Sequence, residues 1–467
     1  MKKQMKRMVR GLLAAAVVGL AGCVPQRVVW SPDGSRAAVI GGDGLHVCDV
    51  EGKLGGLLVP EVGRVAWLPD GKRVVVMREQ HETNAKDVVR AYPAAERRAK
   101  ELMGALKNSA GDLDKAKKAL GWSDAEVSAG LIVLRDDVTS GLAASYPAVA
   151  QAAAQRTYDE TVGQVYTISG DAVIPGRVMF EGPSQDTMEE RVSPDGKLVA
   201  FSVGGMIAIG AVDEADGELR MLGPGCAYPD WTADSRSLLY VKPLANAVDG
   251  RAETSVSGRS QAGFATLVEQ AVCGADGKLL NVADFPKAEE LVGMVYGGNS
   301  RVRVAPDGRV YFTALDVTLP ATPNDLDTAQ VLFSIMPGKE ATVSRVIPRG
   351  AQGQVGDAME WFELSPDGKR IAASSRDGQI AVVMVGTGEV EVVQAGSKHV
   401  EDESSVELQS LPAWRGSGEL TFLRPVKGGS GQEVVRHTLE DKKDVVISTM
   451  WGEEVGRGWL DKQVGGQ

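Results

Sequence analysis

The chain has few of the residues that most often carry catalysis. Its 467 residues include four cysteines and four histidines, and the histidines are scattered as His46, His81, His399 and His437. It contains no Gly-x-Ser-x-Gly elbow, no Walker loop and no His-Glu-x-x-His motif, and no Gly-x-Gly-x-x-Gly stands between a strand and a helix. We therefore predict no catalytic, cofactor-binding or metal-binding residue, and no cofactor.

The chain also has no excess of positive charge. Its formal net charge is −11, and the first 22 residues hold five cations and no acid, so a chain beginning at residue 23 carries −16 (−11 less five). Binding to nucleic acid needs a basic surface, so we predict no nucleic-acid partner. The same charge disfavours broad adhesion to anionic lipid.

The apolar run at the amino terminus, residues 12–20, is too short to span a bilayer as a helix. A basic segment precedes it, and the order of basic, apolar and small residues predicts a signal peptide over residues 1–22. The run ends in Leu20-Ala21-Gly22-Cys23, which resembles a bacterial lipobox. The resemblance implies cleavage before Cys23 and acylation of that residue, palmitate included. An ordinary signal peptide with a chance cysteine is the alternative.

Sorting of the lipoprotein is also implied by resemblance. Val24, not aspartate, follows Cys23. In Gram-negative sorting this favours the outer membrane, with the protein facing the periplasm or exposed at the surface.

What the sequence does contain is a repeated turn. The motif is complete at Trp30-Ser31-Pro32-Asp33-Gly34, and related copies begin at Trp67, Ser193, Trp231, Ala305, Ser365 and Trp414. Proline presets φ for a type I turn, aspartate bonds the backbone two residues on, and glycine accepts the left-handed conformation. Each Asp-Gly pair therefore predicts a hairpin turn. None supplies the alternating carboxylates of a calcium loop.

The spacing of the copies predicts the architecture. The closest copies are roughly 37 to 39 residues apart, which is the length of a four-stranded propeller blade. Seven copies predict an all-β propeller of seven blades, with six as the alternative because the copies at Trp231 and Trp414 are degenerate. The repeats resemble those of TolB-like and WD-repeat-like bacterial propellers. The tryptophans recur at one repeat position, so we assign them to packing between blades.

The propeller pattern stops between Met77 and Val165, where helical spacing replaces it. Gly121 is predicted to end one helix, Ser123 and Glu126 form a capping box that opens the next, and a last helix is predicted over residues 140–156. We predict four helices whose apolar stripe is their own core, with a partner-binding groove as the alternative. The domains are then a signal peptide (1–22), a propeller (23–450) with a helical insertion in blade two (80–160), and a tail (451–467).

The insertion falls between the second and third strands of its repeat. Long segments occur at the same point of two later repeats, residues 244–263 and 316–328. Because strands alternate in direction, these segments emerge on one face and the Pro-Asp-Gly turns on the other. The chain enters its first strand from the face with the long segments. We therefore expect the anchor at Cys23 and a protein partner, bound by the insertion and the long loops, on the same side.

Two pairs of alternatives remain open from the sequence. Cys226 and Cys273 either pair or remain free thiols together with Cys48. The favoured function is a membrane-anchored, non-catalytic envelope lipoprotein that binds or scaffolds proteins. The alternative is a propeller that binds a glycan or small ligand, with hydrolase or lyase activity as an extension. Carboxylates and arginines converging in the central channel would favour the alternative, and an apolar patch on the insertion would favour the first.

Overall fold

Seven antiparallel sheets follow one another along the chain in the computed structural model of the protein. The structure describes residues 27–41, 43–183, 187–203, 206–214, 218–223, 226–243, 254–256, 260–296, 301–315, 330–348, 359–375, 378–395, 411–425 and 432–448. Cys23, His399, the tail 451–467 and most of the two later long loops lie outside these ranges.

Each sheet is one blade, and its strands follow chain order from the inner edge outward. Blades 1 and 2 are β1 (Val28–Trp30), β2 (Arg36–Ile40), β3 (Gly44–Asp49), β4 (Val59–Pro60), then β5 (Val62–Trp67), β6 (Arg73–Glu82), β7 (Tyr158–Ser169) and β8 (Ala172–Pro183). Blades 3 and 4 are β9 (Thr187–Val192), β10 (Leu198–Val203), β11 (Met206–Ala211), β12 (Arg220–Leu222), then β13 (Ala227–Trp231), β14 (Ser237–Pro243), β16 (Ser260–Ala271) and β17 (Glu289–Tyr296), with β15 (Thr254–Val256) paired to β16. Blades 5 to 7 are β18 (Val302–Val304), β19 (Val310–Leu315), β20 (Gln330–Ile335), β21 (Ser344–Arg345), then β22 (Met359–Leu364), β23 (Arg370–Ser375), β24 (Ile380–Met384), β25 (Val390–Gln394), then β26 (Ala413–Arg415), β27 (Glu419–Pro425), β28 (Gln432–Thr438) and β29 (Lys443–Ser448).

Seven blades confirm the predicted all-β propeller, and six is wrong. Each blade is built from consecutive strands, and the ring closes where β1 packs against β26. The buried Trp30 indole donates a hydrogen bond of 2.9 Å to the Thr421 hydroxyl of blade 7 across this junction. Closure therefore relies on side-chain packing between the first and last blades.

The repeated turns have the predicted conformation. The Ser31 hydroxyl donates to the Asp33 carboxylate over 2.6 Å, and Ser365 donates to Asp367 over the same distance. The Ser31 bond, followed by the two bonds that Ser35 donates, lowers the pKa of Asp33 to about 2. The turn glycines adopt left-handed φ values, for example +67° at Gly368. The turn geometry is local, so a five-residue motif suffices to predict it.

The recurring tryptophans join neighbouring blades, as predicted. The Trp67 indole donates to the Val29 carbonyl of blade 1 over 2.8 Å, and that of Trp231 donates to the Arg191 carbonyl of blade 3 over 2.9 Å. Each indole nitrogen thus satisfies a carbonyl on the inner strand of the preceding blade.

Blade 2 carries the helical insertion on a raised hairpin. Strands β6 and β7 pair without interruption from Arg73↔Thr167 to Glu82↔Tyr158. Strand β6 runs to Glu82 and β7 begins at Tyr158, so both strands continue into the segment 80–160 that was predicted as the insertion.

Six helical segments follow, two more than predicted: α1 (Ala85–Ala91), α2 (Ala95–Asn108), α3 (Leu113–Leu120), α4 (Asp124–Asp136), α5 (Leu142–Ser145) and α6 (Pro147–Ala154). The predicted last helix is two segments because Pro147 disfavours helical geometry at Tyr146, whose φ is −140°. Gly121 ends α3 in the left-handed conformation, and Ser123 and Glu126 form both bonds of the capping box. The local signals for helix ends were correct, and the helix count was wrong.

The insertion has a hydrophobic core of its own. Leu102, Leu106, Trp122 and Leu131 belong to a buried cluster made only of residues from the insertion. A second cluster joins the insertion to its hairpin through Tyr158, whose ring stacks on that of Tyr92 at 5.9 Å. The apolar stripe predicted from the sequence is therefore internal packing, and the insertion is seated on the hairpin.

Strand direction determines which features share a face of the ring. Val28, where the chain enters β1, pairs with Val39 at the end of β2, so the entry lies on the side of the β2–β3 connection. The insertion connects β6 to β7 and so emerges on that same face. The Pro-Asp-Gly turns lie on the opposite face.

Candidate functional site

The inner strands of blades 3 to 6 place charged side chains in the central channel. When the repeats are aligned on their turns, the residues immediately before the tryptophan position are Val29, Ala66, Arg191, Asp230, Arg303, Glu363 and Ala413. Four consecutive blades thus present charges that alternate in sign, whereas the other three blades present small apolar residues. Glu189 lies two residues before Arg191, and Arg301 lies two residues before Arg303. A spacing of two places each pair on the same face of its extended segment.

These six side chains, called here the channel cluster, are Glu189, Arg191, Asp230, Arg301, Arg303 and Glu363. Arg303, which is 2% exposed, is at its centre. Its Nε lies 2.7 and 2.8 Å from the two carboxylate oxygens of Glu363, and its Nη2 lies 2.6 Å from Glu189 Oε1. One guanidinium therefore joins blades 3, 5 and 6.

The remaining members complete the cluster. Arg301 Nη1 lies 3.0 Å from Glu189 Oε1, and Arg191 bridges Glu363 and Asp230 at 3.3 Å each. The other carboxylate oxygen of Asp230 accepts the Val304 backbone N–H over 2.8 Å. Three arginines balance three carboxylates, so the cluster is electrically neutral when all six are ionised.

The arginines lower the pKa of two of the three carboxylates, whereas burial dominates at Asp230 and raises its pKa. Burial works to raise the pKa of Glu189, but the charges of Arg303, Arg301 and Arg191 outweigh it and hold this pKa at about 2. For Glu363 burial acts in the same direction, and Arg191 and Arg303 again lower its pKa. Both carboxylates therefore stay ionised at neutral pH despite their burial.

The channel cluster predicts sensitivity to acid. The folded pKa of Glu189, about 2, lies below the ordinary value of 4.5, so ionised Glu189 stabilises the fold above pH 4.5. That contribution, on the order of 3 kcal/mol, is lost as pH falls from 4.5 towards 2. We expect the difference in unfolding free energy between wild type and Glu189→Gln to be large at pH 6 and to shrink by pH 3. Exposed Glu290 supplies the control, because Glu290→Gln should differ from wild type by the same small amount at both pH values. A pH-independent difference for Glu189→Gln would contradict the assignment.

A cavity of about 430 Å³ adjoins the channel cluster. Its lining comes from blades 1 to 6 and includes turn residues such as Pro32, Pro306 and Pro366, so it reaches the face opposite the insertion. Arg64 of blade 2 and Glu190 of blade 3 also line it. The volume is that of a small-molecule site.

Arg64 and Glu190 differ from the channel cluster because these two side chains do not form an ion pair with each other. Within the part of the chain that the structure describes, the Arg64 side chain makes no hydrogen bond or ion pair. The Oε2 atom of Glu190 is buried without a hydrogen-bond partner there. Burial raises the pKa of Glu190 to about 7; the charge of Arg64 opposes the rise and that of Glu189 adds to it. The two groups influence each other electrostatically without direct contact.

The histidines and cysteines that the structure describes do not come together in one site. His46, His81 and His437 belong to different blades and each contacts one aspartate, at 2.8, 2.7 and 2.8 Å. Cys48, Cys226 and Cys273 are buried free thiols, which resolves the open alternative. Among the described residues no group of three or more histidine, cysteine or acidic side chains is placed to hold a metal ion.

Sequence reasoning missed the channel cluster, although a signal was present. Arg191, Asp230, Arg303 and Glu363 occupy one repeat position just before an aromatic or aliphatic residue that is at least partly buried, where a polar side chain is unexpected. Comparing the repeats position by position would have found it. The apolar patch that would have favoured a protein-binding insertion is not seen among its described residues, where Val138 is the one large hydrophobic side chain that is well exposed.

Comparisons with known proteins concern the fold. No family model matches the chain, and no curated protein matches it. Solved structures similar to it include the propeller domain of Cps50 (Swd1) from Myceliophteria thermophila, at 10% identity and TM-score 0.43, covering 86% of this chain and 93% of that one. A protein from Agrobacterium tumefaciens assigned as TolB has 14% identity and TM-score 0.38, covering 58% and 83%. Hydrazine synthase from Kuenenia stuttgartiensis has 13% identity and TM-score 0.42, covering 78% and 77%. Of the helices described, none is long and apolar enough to cross a membrane.

Proposed function

We propose that the protein is a lipid-anchored, non-catalytic module of the bacterial cell envelope that binds a protein partner through the insertion-bearing face of its propeller. The observation that carries the proposal is the insertion itself, a helical body with its own core seated on an extended hairpin. The other blades form without such an addition, so its presence needs a reason beyond folding. A rigid scaffold that displays a variable element is a common arrangement for recognition.

The mounting of the insertion supports recognition by a fixed surface. Besides the Tyr158 contact, the Asp136 carboxylate accepts the Ala85 backbone N–H over 2.7 Å at the entry to the helices. The Arg135 guanidinium donates to the carbonyl of Thr83 beside it. The insertion is thus tied to the hairpin at several points, and its exposed residues are presented in one orientation.

The proposed anchor supports a partner at the membrane. Four residues, 24–27, lie between Cys23 and β1, and when extended they span roughly 14 Å. An acylated Cys23 would hold the face on which the chain enters β1 towards the bilayer. The insertion emerges on that face, so we expect the partner to be a protein in or on the same membrane.

A pull-down from detergent-solubilised membranes tests the partner site. Wild type is compared with a variant in which an Asn-Gly turn replaces residues 80–160 and joins Glu79 to Thr161, which face each other across the hairpin. We expect the variant to fold as a propeller and to lose the partner. A variant that keeps every partner would move the site to the ring. One that cannot fold would show that the helices belong to the propeller core.

A Cys23→Ser variant tests the anchor separately. We expect it to accumulate as unprocessed or soluble protein, whereas the wild type enters the detergent phase. If metabolic labelling with a fatty acid does not mark the wild type, the lipid anchor is wrong even if the partner site is right.

A second function, binding of a small polar ligand, is favoured by a different observation. Carboxylates and guanidinium groups converge in the channel beside a cavity of suitable size. This site lies on the ring and opens towards the face opposite the insertion, so both functions are compatible in one molecule.

A further inference from the structure

The cavity contains two groups of opposite charge, Arg64 and Glu190, that are not paired with each other and can contact a ligand. The six side chains of the channel cluster form ion pairs with one another. They therefore fix the shape of the site, and their charged groups are less available to a ligand. Arg64 and Glu190 line the same cavity, and neither is in ion-pair contact with the other. A buried carboxylate oxygen without a hydrogen-bond partner lowers the stability of the fold. The presence of such an oxygen at Glu190 therefore favours a ligand that donates a hydrogen bond to it.

Charge balance decides what kind of ligand fits. The channel cluster is neutral, and Arg64 and Glu190 add one charge of each sign. A simple anion would satisfy Arg64 and meet the repulsion of Glu190 and Glu189, and a simple cation would satisfy Glu190 and be repelled by Arg64. A ligand with both charges satisfies both groups at once.

We propose that this cavity binds a small zwitterion, a free α-amino acid, with its carboxylate on Arg64 and its ammonium group on Glu190. A guanidinium donates two parallel hydrogen bonds to a carboxylate, which is the geometry that an α-carboxylate accepts. Trp30, Trp67 and Trp361 also line the cavity and provide apolar surface for the side chain of the bound amino acid. This inference rests on the second function above and is independent of the insertion.

The ionisation of Glu190 gives the site a pH dependence. The charged groups that face Glu190 are Arg64 on β5 and Glu189 and Arg191 on its own strand, and the balance of burial against these charges places its pKa at about 7. An ammonium ligand requires the ionised carboxylate. We therefore expect binding to weaken about tenfold between pH 8 and pH 6, because the ionised fraction falls by that factor.

Calorimetric titration and thermal unfolding test the proposal on the purified full-length protein. The probes are a panel of the twenty free amino acids, with the matching N-acetyl amino acids as anions and amino acid amides as cations. We expect at least one free amino acid to bind and to raise the melting temperature by about 2 °C or more at saturation, while its acetyl and amide forms do not. Arg64→Gln and Glu190→Gln should each reduce this binding at least tenfold, and Glu190→Gln should also abolish its pH dependence.

Controls separate a lost site from a lost fold. Glu190→Gln removes a charge that burial disfavours, so its unliganded melting temperature at pH 8 should equal or exceed that of the wild type. Arg97 and Glu290 are exposed residues away from the cavity, so the control variants Arg97→Gln and Glu290→Gln should bind the amino acid like the wild type. If nothing in the panel binds, or binding survives both cavity variants, the inference is overturned. If the acetyl or amide form binds in a way that depends on Arg64, a channel ligand site exists and its assignment to zwitterions is wrong.

Discussion

Replacing Arg303 with methionine is expected to lower the free energy of unfolding by about 3–5 kcal/mol. The guanidinium is 2% exposed and holds Glu363 through two contacts and Glu189 through one. Methionine keeps much of the volume but leaves both carboxylates with weaker partners, Arg301 at 3.0 Å and Arg191 at 3.3 Å. Breaking a buried ion network by removing one partner is far more costly than removing the whole network, because an uncompensated charge remains. Urea unfolding at pH 7 measures the loss.

Two comparisons make this result specific to the network. Arg97 is 70% exposed on α2, so Arg97→Met should change the unfolding free energy by no more than about 0.5 kcal/mol. Adding Glu363→Gln to Arg303→Met should restore part of the loss, because two arginines then face two carboxylates, Arg191 with Asp230 and Arg301 with Glu189. An Arg303→Met protein as stable as the wild type would mean that the channel cluster does not join the blades.

Gly368→Val is expected to cost about 2–5 kcal/mol, since two penalties add. The glycine has a φ of +67°, a conformation that costs a β-branched residue about 1–2 kcal/mol. A Cβ there would also lie 2.8 Å from Pro306 Cδ and 3.4 Å from Ala305 Cβ, atoms of the preceding blade. Overpacking of this kind costs about 1–3 kcal/mol. The measurement is again urea unfolding at pH 7.

Gly308 provides the matched comparison, because it occupies the same place in the turn of blade 5. Its φ is +87°, and a Cβ there would have no atom within 4 Å. Gly308→Val should therefore show the conformational penalty alone and be the milder change. Equal losses at the two glycines would mean that the turns do not touch across the junction between blades.

Local patterns were sufficient wherever the interactions themselves are local. The Ser-to-Asp bond in the turns that begin at Ser31, Ser193 and Ser365 links residues two apart, and the capping box of Ser123 and Glu126 links residues three apart. The number and spacing of the turn motifs predicted the number of blades, because each blade is formed by strands that follow one another in the chain. The helix count failed at Tyr92 and Tyr146, because each of these residues precedes a proline and divides a pattern that continues on both sides.

The sequence by itself determined that the chain forms a seven-bladed propeller with a helical insertion in its second blade, because hairpins and helix caps depend on neighbours within a few residues. Only the tertiary structure decided the site. Arg303 meets Glu189 across 114 positions and Glu363 across 60, and these contacts exist only when the ring brings inner strands together. The same closure buries Glu190 beside Arg64 and raises its pKa to about 7, since burial and the charges of other strands set that value. A residue's repeat position can be read from the sequence, but the charges that surround it depend on which strands the ring places beside it.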